Sequence, residues 1–172
     1  MKAAARQAGL VFAGIFALCV PSFAAAANQH SLLPAGLPKL PRLGETMLRD
    51  IHSGLALSGF DPVAYFLGNV AVPGLPQYEV NQGGVIWRFA TAANRDAFRE
   101  APHVYEPRFA GFDASAVADG RAVDADPRRF AVIGSQLYFF RNEENRARFL
   151  AEAALRVRAQ ASWPSVAPLV AR

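Results

Sequence analysis

Apolar and polar positions follow the same order twice along the second half of the chain. Residues 83–89 (GGVIWRF) align with residues 134–140 (GSQLYFF), 51 positions later. The agreement continues at the same spacing in the pairs Asn94 and Asn145, Arg95 and Arg146, and Phe98 and Phe149. Such a repeat predicts two copies of one supersecondary unit that bury their apolar faces against each other.

The first copy predicts a hairpin followed by a helix. Trp87 and Phe89 are apolar at alternate positions, which indicates a strand with one better-buried face. Residues 77–80 (QYEV) precede a glycine-bearing turn and are the predicted pairing partner. Thr91 is placed to cap a helix that extends to about Glu100, since Pro102 stops it.

The second copy has the same plan. Residues 137–140 are apolar throughout, which is typical of a strand covered on both faces, and residues 129–132 (RFAV) precede it across a Gly-Ser turn. Asn142 is placed to cap a helix. Phe149, Ala153 and Val157 share one stripe of that helix.

Together these elements predict an α+β fold: a small single domain built from two hairpin-plus-helix repeats with antiparallel strands. We expect the domain to span residues 54–166. Residues 28–53 are predicted to be a Pro-rich linker, with a short helix compatible with residues 45–53, and residues 167–172 a C-terminal tail.

Residues 1–27 have the order of a secretory signal peptide. A basic start is followed by an apolar run over residues 8–20 and then by small residues, with cleavage predicted near Ala26 or Ala27. The apolar run is shorter than the roughly 20 residues that cross a bilayer, so no permanent membrane anchor is expected. We therefore expect a periplasmic or secreted protein.

Cleavage of the signal peptide changes the cysteine content and the net charge of the mature chain. It removes Cys19, the only cysteine, and two of the 18 basic residues, leaving 16 against 14 acidic ones. Thiol chemistry is thereby excluded from the mature chain. With charges so nearly balanced and no basic cluster beside stacking aromatics, we expect no nucleic-acid partner.

Five segments in order resemble the YHS-domain family, in particular its exported single-domain members. They are residues 59–66 (GFDPVAYF), 87–98 (WRFATAANRDAF), 105–112 (YEPRFAGF), 137–140 (LYFF) and 162–164 (SWP). The resemblance covers roughly residues 57–166. It implies the fold more directly than an activity.

The resemblance also implies a metal-binding role with one departure. Exported family members commonly carry Cys or selenocysteine in a Gly-Gly-Tyr-Cys-Ala-like loop, where this chain has residues 110–114 (AGFDA). Asp113 therefore stands in place of a soft ligand, and a carboxylate favours hard cations. A metal site would use Asp113, Asp61 and His103, although their spacing has no recognised metal signature.

The same residues have structural interpretations, which stay open at this stage. Asp61 before Pro62 is suited to fixing a turn, and Asp113 to capping a short helix over residues 114–118. Alternating aromatics are ordinarily core. The hydroxyls of Tyr65 and Tyr105 need partners if buried, and Asp61 or Asp113 is suited to supply one.

The sequence thus predicts an exported, non-catalytic YHS-type binding or accessory domain, with a metal-ion-binding domain as the alternative. Its partner would be an unknown small ligand or a periplasmic protein. No cofactor is expected apart from such a metal. No enzyme is expected either, because nothing pairs Ser115 with His103. An enzyme with an unfamiliar carboxylate site at Asp61 or Asp113 stays open as the least supported alternative. The contact candidates are Asp61, Tyr65, Tyr105, Phe109, Phe112 and Asp113.

Overall fold

The computed structural model describes residues 47 to 170. The predicted signal peptide over residues 1–27 and the Pro-rich segment up to residue 46 lie outside the described residues, as do residues 171 and 172. The described residues confirm the α+β class. The elements in chain order are α1 (Ala64–Gly68), β1 (Leu75–Gln82), β2 (Val85–Phe89), α2 (Ala92–Glu100), α3 (Pro102–Tyr105), α4 (Ala114–Ala118), β3 (Asp126–Ile133), β4 (Gln136–Phe140), α5 (Glu143–Ala151) and α6 (Ala153–Val170).

The strands form two antiparallel hairpins, β1–β2 and β3–β4. Each hairpin closes over two residues with positive φ, at 64° and 78° for Gly83 and Gly84 and at 56° and 58° for Gly134 and Ser135. Two consecutive residues with positive φ form a turn whose twist matches that of the paired strands. Glycine adopts positive φ readily, which explains the glycines at these turns. Both predicted hairpins are confirmed.

A capped helix follows each hairpin, as predicted. The Thr91 hydroxyl accepts a hydrogen bond of 3.1 Å from the Asn94 N–H at the start of α2. The Asn142 side chain accepts one of 2.8 Å from the Asn145 N–H at the start of α5. The two units therefore begin their helices by the same local chemistry.

Each helix buries one phenylalanine against the second strand of its own hairpin. Phe98 lies 4.9 Å from Trp87 and 5.2 Å from Phe89, measured between ring centroids. Phe149 lies 5.2 Å from Tyr138 and 5.3 Å from Phe140. The repeated sequence thus forms a repeated core.

The structural repeat also extends ahead of each hairpin. A tight turn with positive φ at three consecutive residues precedes a Phe-Asp pair in both halves: residues 57–59 before Asp61, and residues 109–111 before Asp113. The sequence shows this as Gly-Phe-Asp in both places, 52 positions apart. The offset is one residue longer than that of the hairpins.

The two halves pack through Tyr65 of α1. Its ring lies 4.6 Å from that of Phe130 and 5.2 Å from that of Phe139, both in edge-on geometry. Because Tyr65 belongs to the first repeat and its two neighbours to the second, the halves share one core. This is the joint packing that the repeat predicts.

The predicted stripe of the second helix is wrong beyond Phe149. The helix α5 ends at Ala151, because Glu152 takes an extended conformation with ψ of 94°. Ala153 and Val157 are exposed in α6, which instead buries Leu155, Ala159 and Val166. This last helix packs against α4 and continues through residues 167–170, which the sequence predicted as a tail.

The described part of the predicted short helix, residues 47–53, is not helical. The Asp50 carboxylate accepts hydrogen bonds from the N–H groups of His52 and Ser53, which closes a turn, and Arg49 pairs with Ala56 in an isolated bridge. Met47 is buried and belongs to the core, so the packed part of the chain starts ahead of Gly54. An aspartate whose side chain competes for backbone donors explains the difference.

Candidate functional site

Asp61 is completely buried, and both of its carboxylate oxygens are occupied. One oxygen accepts hydrogen bonds from the N–H groups of Val63 at 2.8 Å and Ala64 at 3.3 Å. The other accepts from the Ala90 N–H at 2.7 Å and from the side-chain amide of Asn94 at 2.6 Å. Asp61 thus fixes the turn before α1, as expected, and also ties that turn to the start of α2.

Asp113 is equally buried and has the equivalent partners in the second repeat. One oxygen accepts from the Ala116 N–H at 2.9 Å, which confirms the predicted helix cap. The other accepts from the Arg141 N–H at 2.7 Å and the side-chain amide of Asn145 at 2.6 Å. Since these donors all come from the protein, this carboxylate is used to join α4 to the start of α5.

The predicted metal-ligand set is not brought together. Within residues 47–170, no group of three or more His, Cys, Asp or Glu side chains is arranged to hold a metal ion. Asp113 and Asp61 each serve their own repeat, whereas His103 is exposed in α3. A cation at Asp61 would displace protein donors, because each of its two carboxylate oxygens already accepts two hydrogen bonds.

Tyr65, Tyr105 and Phe112 contribute to packing. The Tyr65 hydroxyl donates to the Pro127 carbonyl at 2.9 Å, so its partner is a backbone group instead of Asp61 or Asp113. Burial, and then the carboxylates of Asp126 and Asp61, raise the pKa of this hydroxyl. The Tyr105 ring packs edge-on against Phe66 at 5.5 Å, and Phe112 is buried in the core.

Phe109 is the contact candidate that lines a cavity. The cavity has a volume of about 400 Å³ and lies between the first hairpin, residues 106–110 and the last helix. Six of its lining residues are buried and form the floor: Met47, Val85, Trp87, Pro107, Phe109 and Ala110. Four exposed residues form the rim, namely Gln82, Gly83, His103 and Glu106, and the half-buried Arg108 and Trp163 complete the wall.

Three aromatic side chains contribute to the apolar lining of this cavity, namely Trp87, Phe109 and Trp163. Trp163 of α6 lies 5.7 Å from Phe109 between ring centroids, and Trp87 faces the same space from β2. These are the two tryptophans of the whole chain. Phe109 and Ala110 reach their places through φ values of 54° and 53°, a left-handed conformation that costs roughly 1 kcal/mol for each non-glycine residue.

Arg108 supplies the positive charge of the cavity. Its Nε–H is buried and has no hydrogen-bond partner among the described residues, while one Nη group donates to the Gln160 side chain. Its guanidinium lies 5.8 Å from the centre of the Phe109 ring. An unsatisfied buried donor is uncommon in folded proteins, so the Arg108 side chain is a candidate for a functional role.

Glu106 and His103 add titratable groups at the rim. Burial raises the pKa of the Glu106 carboxyl, and the charge of His103 partly offsets this effect. Since both side chains border the opening, they determine the charge that an incoming molecule meets.

Phe109 and His103 were predicted from the sequence as candidates in this region, whereas Arg108, Glu106 and Trp163 were missed as site residues. The sequence signal for Glu106 and Arg108 was the segment of residues 105–109 (YEPRF), in which an acidic and a basic residue flank a proline and an aromatic residue stands at each end. Trp163 lies more than 50 residues further along the chain, in the short SWP segment. Only packing brings it to the cavity.

Comparison with known proteins adds no relative: no protein-family model, curated protein or solved structure matches this chain. Among residues 47–170, none of the helices combines the length and apolar character needed to cross a membrane.

Proposed function

We propose that this chain is an exported, non-catalytic binding domain of the YHS type, and that it takes a small ligand in the cavity between Trp87 and Trp163. The observation that carries the proposal is the cavity itself, in which both tryptophans meet a half-buried arginine. Its volume of about 400 Å³ falls in the range of roughly 300–1,000 Å³ typical of small-molecule sites.

The composition of the wall supports binding. Small-molecule sites combine mostly apolar surface with a few polar groups that orient the ligand. Here the half-buried Trp163 offers flat apolar surface beside the largely buried Trp87 and Phe109, and the half-buried Arg108 offers hydrogen-bond donors. The Pro107–Ala110 part of the wall belongs to the segment of residues 105–112 (YEPRFAGF), one of the five segments that carry the family resemblance.

The hydrogen bond of Ser115 supports a non-catalytic role. A serine nucleophile needs an adjacent base to accept its proton. The buried Ser115 hydroxyl instead donates to the Asn145 backbone carbonyl at 2.7 Å, and His103 is an exposed residue on the cavity rim. The two are therefore not hydrogen-bonded as a nucleophile and its base.

Tryptophan fluorescence tests the proposal directly, because both tryptophans border the cavity. A screen of small neutral, anionic and cationic compounds against the mature protein should find compounds that shift or quench the emission saturably. In Trp163→Phe, the remaining Trp87 should still report the same compounds, since it also lines the cavity.

A variant that narrows the opening separates cavity binding from surface adsorption. Gln82→Phe adds bulk at the exposed rim and should weaken binding at least about tenfold, whereas Gln77→Phe, on the same strand but outside the cavity, should not. Equal affinity in both variants, or no saturable response to any compound, would contradict the proposal. Adding EDTA or divalent ions during the titrations tests the alternative, which requires a bound metal.

A further inference from the structure

Arg108 differs from most arginines of the described region in having no acidic partner. Arg88 pairs with Glu79 at 2.6 Å, and Arg148 pairs with Asp119 at 2.9 Å. Within residues 47–170, no carboxylate forms an ion pair with Arg108, whose one side-chain hydrogen bond goes to the neutral Gln160. A positive charge is thus held on the cavity wall without an ion pair to any of these residues.

The donors of Arg108 are also under-used. A guanidinium carries five N–H donors in a planar fork that matches the two oxygens of a carboxylate. Within residues 47–170 the Nε–H of Arg108 has no partner, and it is buried, so a ligand reaches it only when the side chain shifts. An acceptor that binds there would satisfy a donor whose burial is otherwise unfavourable. The chemical complement of this group is an oxyanion.

The surrounding wall determines what the rest of the ligand must be. Phe109 lies beside the guanidinium, and Trp87 and Trp163 line the same space. These rings favour a flat or apolar body over a strongly hydrated one. The cavity therefore combines an anion-binding group with aromatic walls.

One acidic side chain, Glu106, also lines the cavity. Its charge opposes the binding of an anion, and His103 acts against that charge. Removing the Glu106 charge should therefore strengthen binding, whereas removing the Arg108 charge should weaken it. The two substitutions are thus predicted to change the affinity for an anion in opposite directions.

We infer that the ligand of this cavity is a small apolar or aromatic carboxylate, whose carboxylate is held by Arg108 and whose body packs between Trp87 and Trp163. This inference rests on the proposed function and specifies its ligand class. It assigns Arg108 the role of a specificity-determining residue, because a neutral analogue of the same shape would leave the guanidinium uncompensated.

Matched acid and amide probes test the inference. The affinities of benzoate, phenylacetate and cyclohexanecarboxylate should be measured by calorimetry against those of the corresponding amides, which have nearly the same shape without the charge. At least one acid should bind about tenfold or more tightly than its amide, as expected for a charge-assisted hydrogen bond. Glu106→Gln should increase the affinity for that acid.

Variants at Arg108 establish which residue is responsible. Arg108→Gln should remove the preference for the acid, and Arg108→Lys should retain part of it, because the ammonium keeps the charge but loses the planar fork. Arg99→Gln removes an exposed arginine outside the cavity and should retain the preference in full. Thermal unfolding of each variant verifies that it is folded.

The outcomes separate the inference from the proposed function. Amides that bind as tightly as acids, or neutral compounds that bind while every acid fails, would overturn the inference and leave cavity binding intact. A preference for acids that survives in Arg108→Gln would also overturn it. Absence of binding by every class of compound would overturn both.

Discussion

The carboxylate of Asp113 accepts a hydrogen bond of 2.6 Å from the side-chain amide of Asn145, and Asp61 accepts one of the same length from Asn94. Both aspartates are fully buried and also accept a backbone N–H just beyond the second strand of their hairpin. Asp113, for which the sequence resemblance implied a metal-binding role, therefore has a counterpart in Asp61 with the same structural task. This symmetry assigns Asp113 first to the fold.

Replacing either aspartate should destabilise the protein. Asp113→Asn and Asp61→Asn each remove an acceptor from buried N–H groups, at an expected cost of about 2–3 kcal/mol in the free energy of unfolding. Urea denaturation in the presence of EDTA measures this cost without any contribution from metal. Asp124→Asn, at an exposed position, is the control and should differ little from the parent protein. Normal stability of Asp113→Asn in EDTA, coupled to loss of a bound metal from the purified protein, would instead favour the metal-binding alternative.

Tyr65 should contribute to stability mainly through its ring. Tyr65→Phe removes the hydrogen bond to the Pro127 carbonyl but keeps the contacts with Phe130 and Phe139, so we expect a loss of about 1 kcal/mol. Tyr65→Ala also leaves a cavity between the repeats and should cost about 3–5 kcal/mol. Urea titrations followed by circular dichroism measure both values. Equal losses in the two variants would show that the ring does not join the halves as described.

Glu106 should make stability depend on pH. Because its pKa is raised in the folded state, folding disfavours the charged carboxylate, and stability falls as pH rises through and above its ordinary value of 4.5. Glu106→Gln lacks this charge and should have a higher thermal midpoint than the parent at pH 7. The difference should vanish well below pH 4.5. A larger increase in the thermal midpoint of Glu106→Gln at acidic pH than at pH 7 would contradict this prediction.

The ion pair of Asp119 with Arg148 predicts the opposite pH dependence. The two hydrogen bonds from Arg148, at 2.9 Å and 3.1 Å, lower the pKa of the Asp119 carboxyl, so its contribution is present above the ordinary value of 3.8 and is lost as pH falls further. Since the pair is partly exposed, Asp119→Asn should cost no more than about 1 kcal/mol near pH 7. Denaturation at low and high salt should show that the cost decreases with salt, whereas the exposed Glu144→Gln control should change little. A cost independent of both pH and salt would contradict this account.

Export is predicted from residues 1–27 alone. Fractionation of expressing cells should recover the protein outside the cytoplasm, and N-terminal sequencing should find a start near residue 27 or 28. Full-length protein retained in the cytoplasm with its N-terminus intact would contradict the prediction.

Local interactions explain which features were predictable. The two-residue turns demand positive φ and so select glycines, and the caps Thr91 and Asn142 bond to N–H groups three residues away. The strand residues 137–140 are all buried, as their unbroken apolar character predicted. The second helix was predicted too long because the helical periodicity continues across Glu152, where the backbone breaks.

The sequence by itself determined the repeat, the hairpins and the helix starts, because each depends on neighbours within a few residues. The tertiary structure alone decided the tasks of the chemical groups. In the sequence, Asp61 and Asp113 each look like a free carboxylate. In the fold, each accepts hydrogen bonds from donors 28 to 33 residues away along the chain. Arg108 became a candidate binding group only because packing brings Trp163 to the same cavity and, among residues 47–170, places no acidic side chain in an ion pair with it. The role of each of these side chains depends on all the atoms around it. Those atoms are brought together by long-range packing, which a local sequence pattern does not reveal.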